Sequence, residues 1–365
     1  MIRWIDAAVA ALAVLAAVLT GCSKSNGAPS TTEPANEAGT TLLGAGATFP
    51  YPLYAKWGAA YNQANGVKLN YQSIGSGGGI QQIKSKTVDF GASDAPLKSE
   101  ELDAAGLVQF PMIMGGVVPV VHLEGVADGT LVLDGDTLSG LFLGDIKKWD
   151  DPKLKALNPG VALPSKDVTV VHRADGSGTT WIFTSYLAKV SDTWSQKVGN
   201  DKAVQWPCGV GGKGNEGVAT YVQRVDGAVG YVEYAYAVQN KLNTTKLKNA
   251  AGKVVAPGIP SFQAAAENAD WEKAPGFYVV LTNQPGDAVW PIVGASFILM
   301  HAEQKNAGKA TAILKFLDYG YKDGAKAATD LDYVPMPQKV VNLVEKTWTT
   351  KIHANGQAVW PPQAK

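Results

Sequence analysis

Three short stretches constrain this chain more than anything else in it: "GAGATFP" (44–50), "IGSGGG" (74–79) and "ADGSGTT" (174–180). Each ends a strand-like or loop segment with glycines and hydroxyl residues and then opens an apolar, helix-like run. "VKLNYQSI" (67–74) has a strand composition, and "GGIQQIKSK" after it begins a helix. "FPYPLYAKWGAAYNQANG" reads as a helix starting near Pro52, a good first-turn residue, and ending near Gly66. "SGTTWIFTSYLAKV" repeats the pattern. Alternation of this kind from Thr41 onward is the signature of α/β architecture. "GVVPVVHL" (116–123) and "GASFILMH" (294–301) are buried-strand candidates far apart in sequence. They could carry the chain out of a first lobe and back again, although one large sheet fits the pattern equally well.

A helix N-terminus offers unpaired N–H groups and a partial positive charge. A glycine and a hydroxyl residue added there make a receptor for a tetrahedral oxyanion, while a single such turn is equally an ordinary N-cap. Arg173 supplies a formal charge beside the third turn; its guanidinium can hold two oxygens of one phosphate, or can pair with Asp175. Asp94, in "VDFGASDAP" (88–96), is the informative residue. A carboxylate repels a dianion unless the anion brings a proton. Hydrogen phosphate and dihydrogen phosphate do; sulfate at neutral pH does not, so an aspartate there would discriminate between them. The competing reading is an Asx-turn before Ala95-Pro96.

With 365 residues, 46% of them apolar, the chain can bury about two cores. Balanced charge, 32 basic against 32 acidic residues, argues against a nucleic-acid partner. "GVGGKG" (209–214) satisfies a dinucleotide fingerprint, but Trp-Pro precedes it where a strand is needed, and Lys213 is followed by glycine, so it is no Walker motif. The four histidines lack metal-ligand spacing, and Ser76 and Ser177 lack a nucleophile-elbow pattern. No cofactor, metal or catalytic group is therefore expected.

The N-terminus is a targeting segment. Arg3 gives a charged start, Ala7 to Leu19 is an apolar core too short to span a bilayer, and Leu19-Thr20-Gly21-Cys22 resembles a bacterial lipobox. In that resemblance residues 1–22 hold the signal and Cys22 is lipidated; an ordinary secretory peptide with a chance cysteine is the alternative. Residues 23–40, polar and rich in Ser, Thr, Pro and Asn, read as a flexible tether. With Cys22 lipidated, Cys208 has no disulfide partner.

"GAGATFPYPLYAKW", "GSGGGIQQI", "TVDFGASDAPL", "LFLGDIKKWDDPKLKALNPG", "VHRADGSGTTWIFTSYLAKV", "WPCGVGGKGNEGVA", "GAVGYVEYAYA" and "DLDYVPMP" resemble the phosphate-binding proteins of bacterial phosphate ABC importers, the PstS family. The resemblance runs from about Leu42 to the mid-350s. It implies a two-lobed periplasmic-binding-protein fold (type II) with a hinge between lobes, lobe I from 41–119 plus 292–365 and lobe II from 120–291. It implies a phosphate site made of Thr48, Phe49 through its N–H, Ser76, Asp94, Arg173, Asp175, Ser177, Gly178 and Thr179. Gly77 stands where family members often have Ser, so any contact there must be through the backbone. The implied partners are inorganic phosphate, the membrane permease subunits of an importer with its cytoplasmic ATPase, and membrane lipid through Cys22. The implied state is a monomer in the cell envelope, facing the periplasm or outside. A binding protein for another oxyanion and an envelope phosphate-ester phosphatase are the rivals.

Overall fold

Strand-to-helix turns of the kind read from sequence recur through the computed structural model, which describes residues 38–362 except residue 268. Cys22 and nearly all of the tether lie outside the described residues, which belong to one compact unit. Eight of the ten strands of the main sheet form its path: β1 (Thr41–Gly46), β2 (Lys68–Ser73), β3 (Phe90–Ser93), β4 (Leu107–His122), β5 (Thr169–Arg173), β6 (Val210–Gly212), β7 (Ala228–Glu233) and β8 (Val293–His301). Their spatial order is β2-β1-β3-β8-β4-β7-β5-β6. Five helices matter here: α1 (Tyr51–Asn65), α2 (Ser76–Lys84), α3 (Gly178–Val190), α4 (Gly214–Arg224) and α5 (Tyr234–Gln239). As expected, α1 carries proline in its first turn and stops where Gly66 turns left-handed at φ 69°.

β4 is longer than the sequence suggested, 16 residues and buried almost throughout, because its apolar run is continuous. Its first part, Leu107–Gly116, pairs with β8, and its second, Val117–His122, with β7. The one-sheet and two-lobe readings thus meet in one strand. The β1, β2 and β3 strands are mutually parallel, as are β5, β6 and β7. β3 runs antiparallel to β8, and β8 antiparallel to β4, so the first triad points along β4. The second triad, through β7, points against it. Both sets of carboxyl ends therefore converge on the middle of β4, at Gly115 and Gly116. A side chain at Gly115 would meet the Phe49 ring at 2.9 Å and Glu233 Oε1 at 3.2 Å, one from each half. Open α/β sheets place ligands outside the carboxyl ends of their strands, and here two such edges face each other.

Pro111 sits in β4 opposite a register shift between Ser296 and Phe297. Proline has no N–H to give the ladder, so a bulge there is the expected accommodation.

Candidate functional site

Each glycine–hydroxyl turn leaves a parallel strand at its carboxyl end. β1 delivers Thr48 and Phe49, β2 delivers Ser76, β3 ends immediately before Asp94, and β5 ends at Arg173 with Ser177–Thr179 following at the start of α3. Thr48, Phe49, Ser76, Asp94, Arg173, Ser177, Gly178 and Thr179 are all buried; Asp175 is half-buried.

Arg173 and Asp175 form a pair, as one reading of the sequence allowed, but a buried one. The guanidinium donates from Nε to Asp175 Oδ1 at 2.8 Å and from a terminal nitrogen to Oδ2 at 2.5 Å, and the arginine side chain is 1% exposed. Gly214 N–H donates to the same Oδ1 at 3.0 Å. Burial pushes the Asp175 carboxyl up, but the hydrogen bonds and charge of Arg173 prevail and its pKa ends below the usual value. Asp175 thus holds the fork, while the other terminal nitrogen of Arg173 reaches Thr179 Oγ1 at 3.4 Å. Arg173 N–H donates to Tyr231 Oη, which shares a 2.6 Å hydrogen bond with Thr180.

Asp94 makes no Asx-turn. Ser93 closes that turn instead, its hydroxyl donating to Ala95 O and accepting from Ala95 N–H. The Asp94 carboxyl is 1% exposed, and neither oxygen has a hydrogen-bond partner among the described residues. Burial raises its pKa to about 7, with the Ser296 hydroxyl, the Arg173 charge and the Ser76 hydroxyl pulling it back. Ser296 lies near enough to act on the carboxyl without reaching hydrogen-bond geometry, its own oxygen being unpartnered as well. A Cβ on Gly178 would lie 2.6 Å from Asp94 Oδ2 and 2.5 Å from Ser76 Oγ, so only glycine admits this close approach to the α3 N-terminus.

Several hydrogen bonds bind the two halves together. Gly178 N–H donates to Ser76 Oγ at 3.0 Å, Gly77 N–H to Gly176 O at 2.8 Å, Asn215 Nδ2 to Thr48 Oγ1 at 2.7 Å, and Tyr236 Oη to Thr48 O at 2.7 Å. This is a shut arrangement. Ser76 Oγ also accepts from Asp94 N–H at 3.1 Å, which leaves its own proton to donate. The Gly77 contact is through the backbone, as its missing side chain requires, and is made to Gly176. Ser177 Oγ caps α3 by accepting from Thr180 N–H. Phe49 packs its ring on Tyr333 and accepts that residue's hydroxyl at its carbonyl.

Sequence reasoning missed several members. Asn215, fully buried at the start of α4, donates from one amide nitrogen to both Thr48 Oγ1 and Thr179 Oγ1 while its Oδ1 accepts from Glu233 N–H. The fourth helix start, "GKGNEG", has the glycine-then-polar pattern of the other three, and that was the available signal. Glu233 is also fully buried; burial raises its pKa well above the usual range, Oε2 caps α5 at Ala235 N–H, and Oε1 is unpartnered.

A cavity of about 770 Å³, lined by Trp271, Phe277, Leu102 and Lys346 among others, lies away from this cluster. The convergence of polar groups, rather than concavity, marks the site. Among the described residues no group of three or more His, Cys, Asp and Glu is placed to hold a metal ion.

The model of the PBP superfamily domain matches residues 31–323. The phosphate-binding protein PstS of Pasteurella multocida (strain Pm70) is 53% identical over 321 residues, 88% of this chain and 93% of the relative. PstS of Xylella fastidiosa (strain 9a5c) is 51% identical over 347 residues, 92% and 95% of the two chains. Among solved structures, a high-affinity periplasmic phosphate-binding protein (PfluDING) bound with phosphate superposes with a TM-score of 0.68 at 21% identity, covering 85% of this chain and 94% of the other. That likeness is one of fold.

Proposed function

The chain belongs to the PBP superfamily and within it to the PstS phosphate-binding proteins, and from that premise we propose that it captures inorganic phosphate between two lobes and delivers it to an ABC importer. The observation that carries this reading is the buried Asp94 carboxylate, without a hydrogen-bond partner among the described residues, set against the α3 N-terminus among hydrogen-bond donors.

In this reading Arg173, held in plane by Asp175, offers its remaining terminal nitrogen to a phosphate oxygen. The N–H groups of Phe49 and of the first turn of α3, with the hydroxyls of Thr48, Ser76, Ser177 and Thr179, take the others. Asp94 accepts a hydrogen bond from the ligand's own O–H. Hydrogen bonds to a charged ligand are worth about 1.5–3 kcal/mol each in a shut site, enough for tight capture without any bond to phosphorus being broken. Sulfate brings no proton, and its oxygen lone pairs would face the carboxylate's.

The lobes we assign are 41–119 with 292–365, and 120–291, with β4 and the chain entering β8 as the hinge. Closure of one lobe on the other around the anion is a known class of motion, and the permease would read the closed shape. Lipid at Cys22 and the polar tether would hold a monomeric receptor on the outer side of a membrane, where two or more acyl chains anchor stably.

Titration of the intrinsic fluorescence tests this reading, because Trp206 stacks on Tyr231, the residue that holds the Arg173 backbone. Phosphate shifts the signal at micromolar concentrations or below, and sulfate in large excess leaves it unchanged. Equal responses to both anions remove Asp94 from its role. Steady release of product from a chromogenic phosphate ester, surviving repurification, favours an enzyme instead.

A further inference from the structure

Besides Asp94, two more buried polar groups that act on it or feel its charge have no partner among the described residues. They are Ser296 Oγ on β8 and Tyr54 Oη on α1, in residues 0% and 1% exposed. The antiparallel register pairs Phe297 with Ser93, which puts Ser296 and Asp94 next in line on neighbouring strands. The register shift of β8 on β4 falls between Ser296 and Phe297, where β4 carries the extra residue Met112. Buried hydroxyls without partners are costly, and the Tyr54 phenol feels both the Ser296 hydroxyl and the Asp94 charge, so the three groups call for a shared explanation.

We propose that Tyr54 and Ser296 are positioning residues that form a donor relay to Asp94, Tyr54 hydroxyl to Ser296 hydroxyl to carboxylate, and so hold Asp94 as a hydrogen-bond acceptor facing the ligand. The proposal rests on the reading of Asp94 as the residue that accepts a hydrogen bond from a phosphate O–H. Its direction follows from the groups themselves. An ionised carboxylate only accepts, a serine hydroxyl both accepts and donates, and a protonated phenol can begin the chain. Burial, with the charge of Asp94 beside it, keeps the Tyr54 phenol protonated far above neutral pH. One Asp94 oxygen is then occupied by Ser296 and the other is left for the anion. The other titratable or charged groups that act on Asp94 or feel its charge are Arg173, Tyr71, Glu233 and Tyr333. Of these only Arg173 is a cation.

The test measures phosphate and sulfate affinities calorimetrically from pH 5.5 to 8.5 for the full chain and for Ser296→Ala, Ser296→Thr, Tyr54→Phe and Asp94→Asn. Loss of one hydroxyl to a carboxylate should lower the phosphate-over-sulfate ratio about 10-fold in S296A and about 3-fold in Y54F. The pH below which sulfate begins to bind should move up by about one unit in S296A, because Asp94 then protonates more easily. Ser296→Thr restores both. If S296A fails to fold, Y54F decides. Wild-type ratios and pH profiles in S296A and Y54F, alongside a collapsed ratio in D94N, overturn the relay and leave the reading of Asp94 intact. An unchanged ratio in D94N overturns both.

Discussion

The Gly178 backbone N–H and the Ser76 hydroxyl meet at 3.0 Å across the two halves of the sheet, and the same hydroxyl accepts from Asp94 N–H at 3.1 Å. One small side chain therefore ties a turn of each half and the discriminating carboxylate into a single unit. Ser76→Ala leaves two buried N–H groups without an acceptor. Phosphate affinity should fall about 10- to 100-fold, and calorimetric titration reads it.

Arg173 and Asp175 should not tolerate conservative exchange. Lysine cannot supply the paired donors that Asp175 receives, and the displaced ammonium would also leave Thr179. Arg173→Lys should weaken phosphate binding about 100-fold or more and lower the melting temperature, because the half-buried Asp175 carboxylate loses its fork. A variant that binds as the parent does would mean that the guanidinium serves the fold alone.

Asn215 links Thr48 to Thr179 across the shut cleft. Asn215→Ala should act on opening more than on capture. We expect phosphate to leave about 10-fold faster in stopped-flow measurements, with little change in the association rate.

The carboxyl of Asp94 gives the ligand-free protein a pH dependence of known sign. Its pKa is about 7 in the shut fold against an ordinary 3.8. Between those values the fold keeps a proton that the unfolded chain has released, so rising pH destabilises the ligand-free fold across this window and no further above it. Glu233 pushes the same way and is present in both proteins compared. In melts without phosphate, Asp94→Asn should match the wild type near pH 4 and become progressively more stable than it up to pH 7. A difference that does not change with pH would contradict the buried, ionisable state of Asp94.

Much of this site was legible as local grammar. Gly66 and the α1 boundary followed from helix-stop chemistry, and the three glycine–hydroxyl turns led to strand ends that do converge. Asn215 was obscured because "GVGGKG" invites comparison with a dinucleotide fingerprint and fails it, which hides a fourth helix start of the same kind. Glu233 sits inside the continuous apolar run "GYVEYAYA", where strand passes to helix without a turn signal. Ser296 could not be found locally at all. Only the antiparallel register of β8 on β3, a pairing across some 200 residues, brings it beside Asp94.

The central claim is that the Asp94 carboxylate accepts a hydrogen bond from a proton carried by the bound anion. The most direct measurement is the distance between its carboxylate and the ligand in a phosphate-bound crystal at atomic resolution. The account predicts one short contact of about 2.5–2.7 Å between an Asp94 oxygen and a phosphate oxygen, as befits an O–H donor on a carboxylate. A phosphate seated on Arg173 with the Asp94 carboxylate turned away from it would contradict that claim.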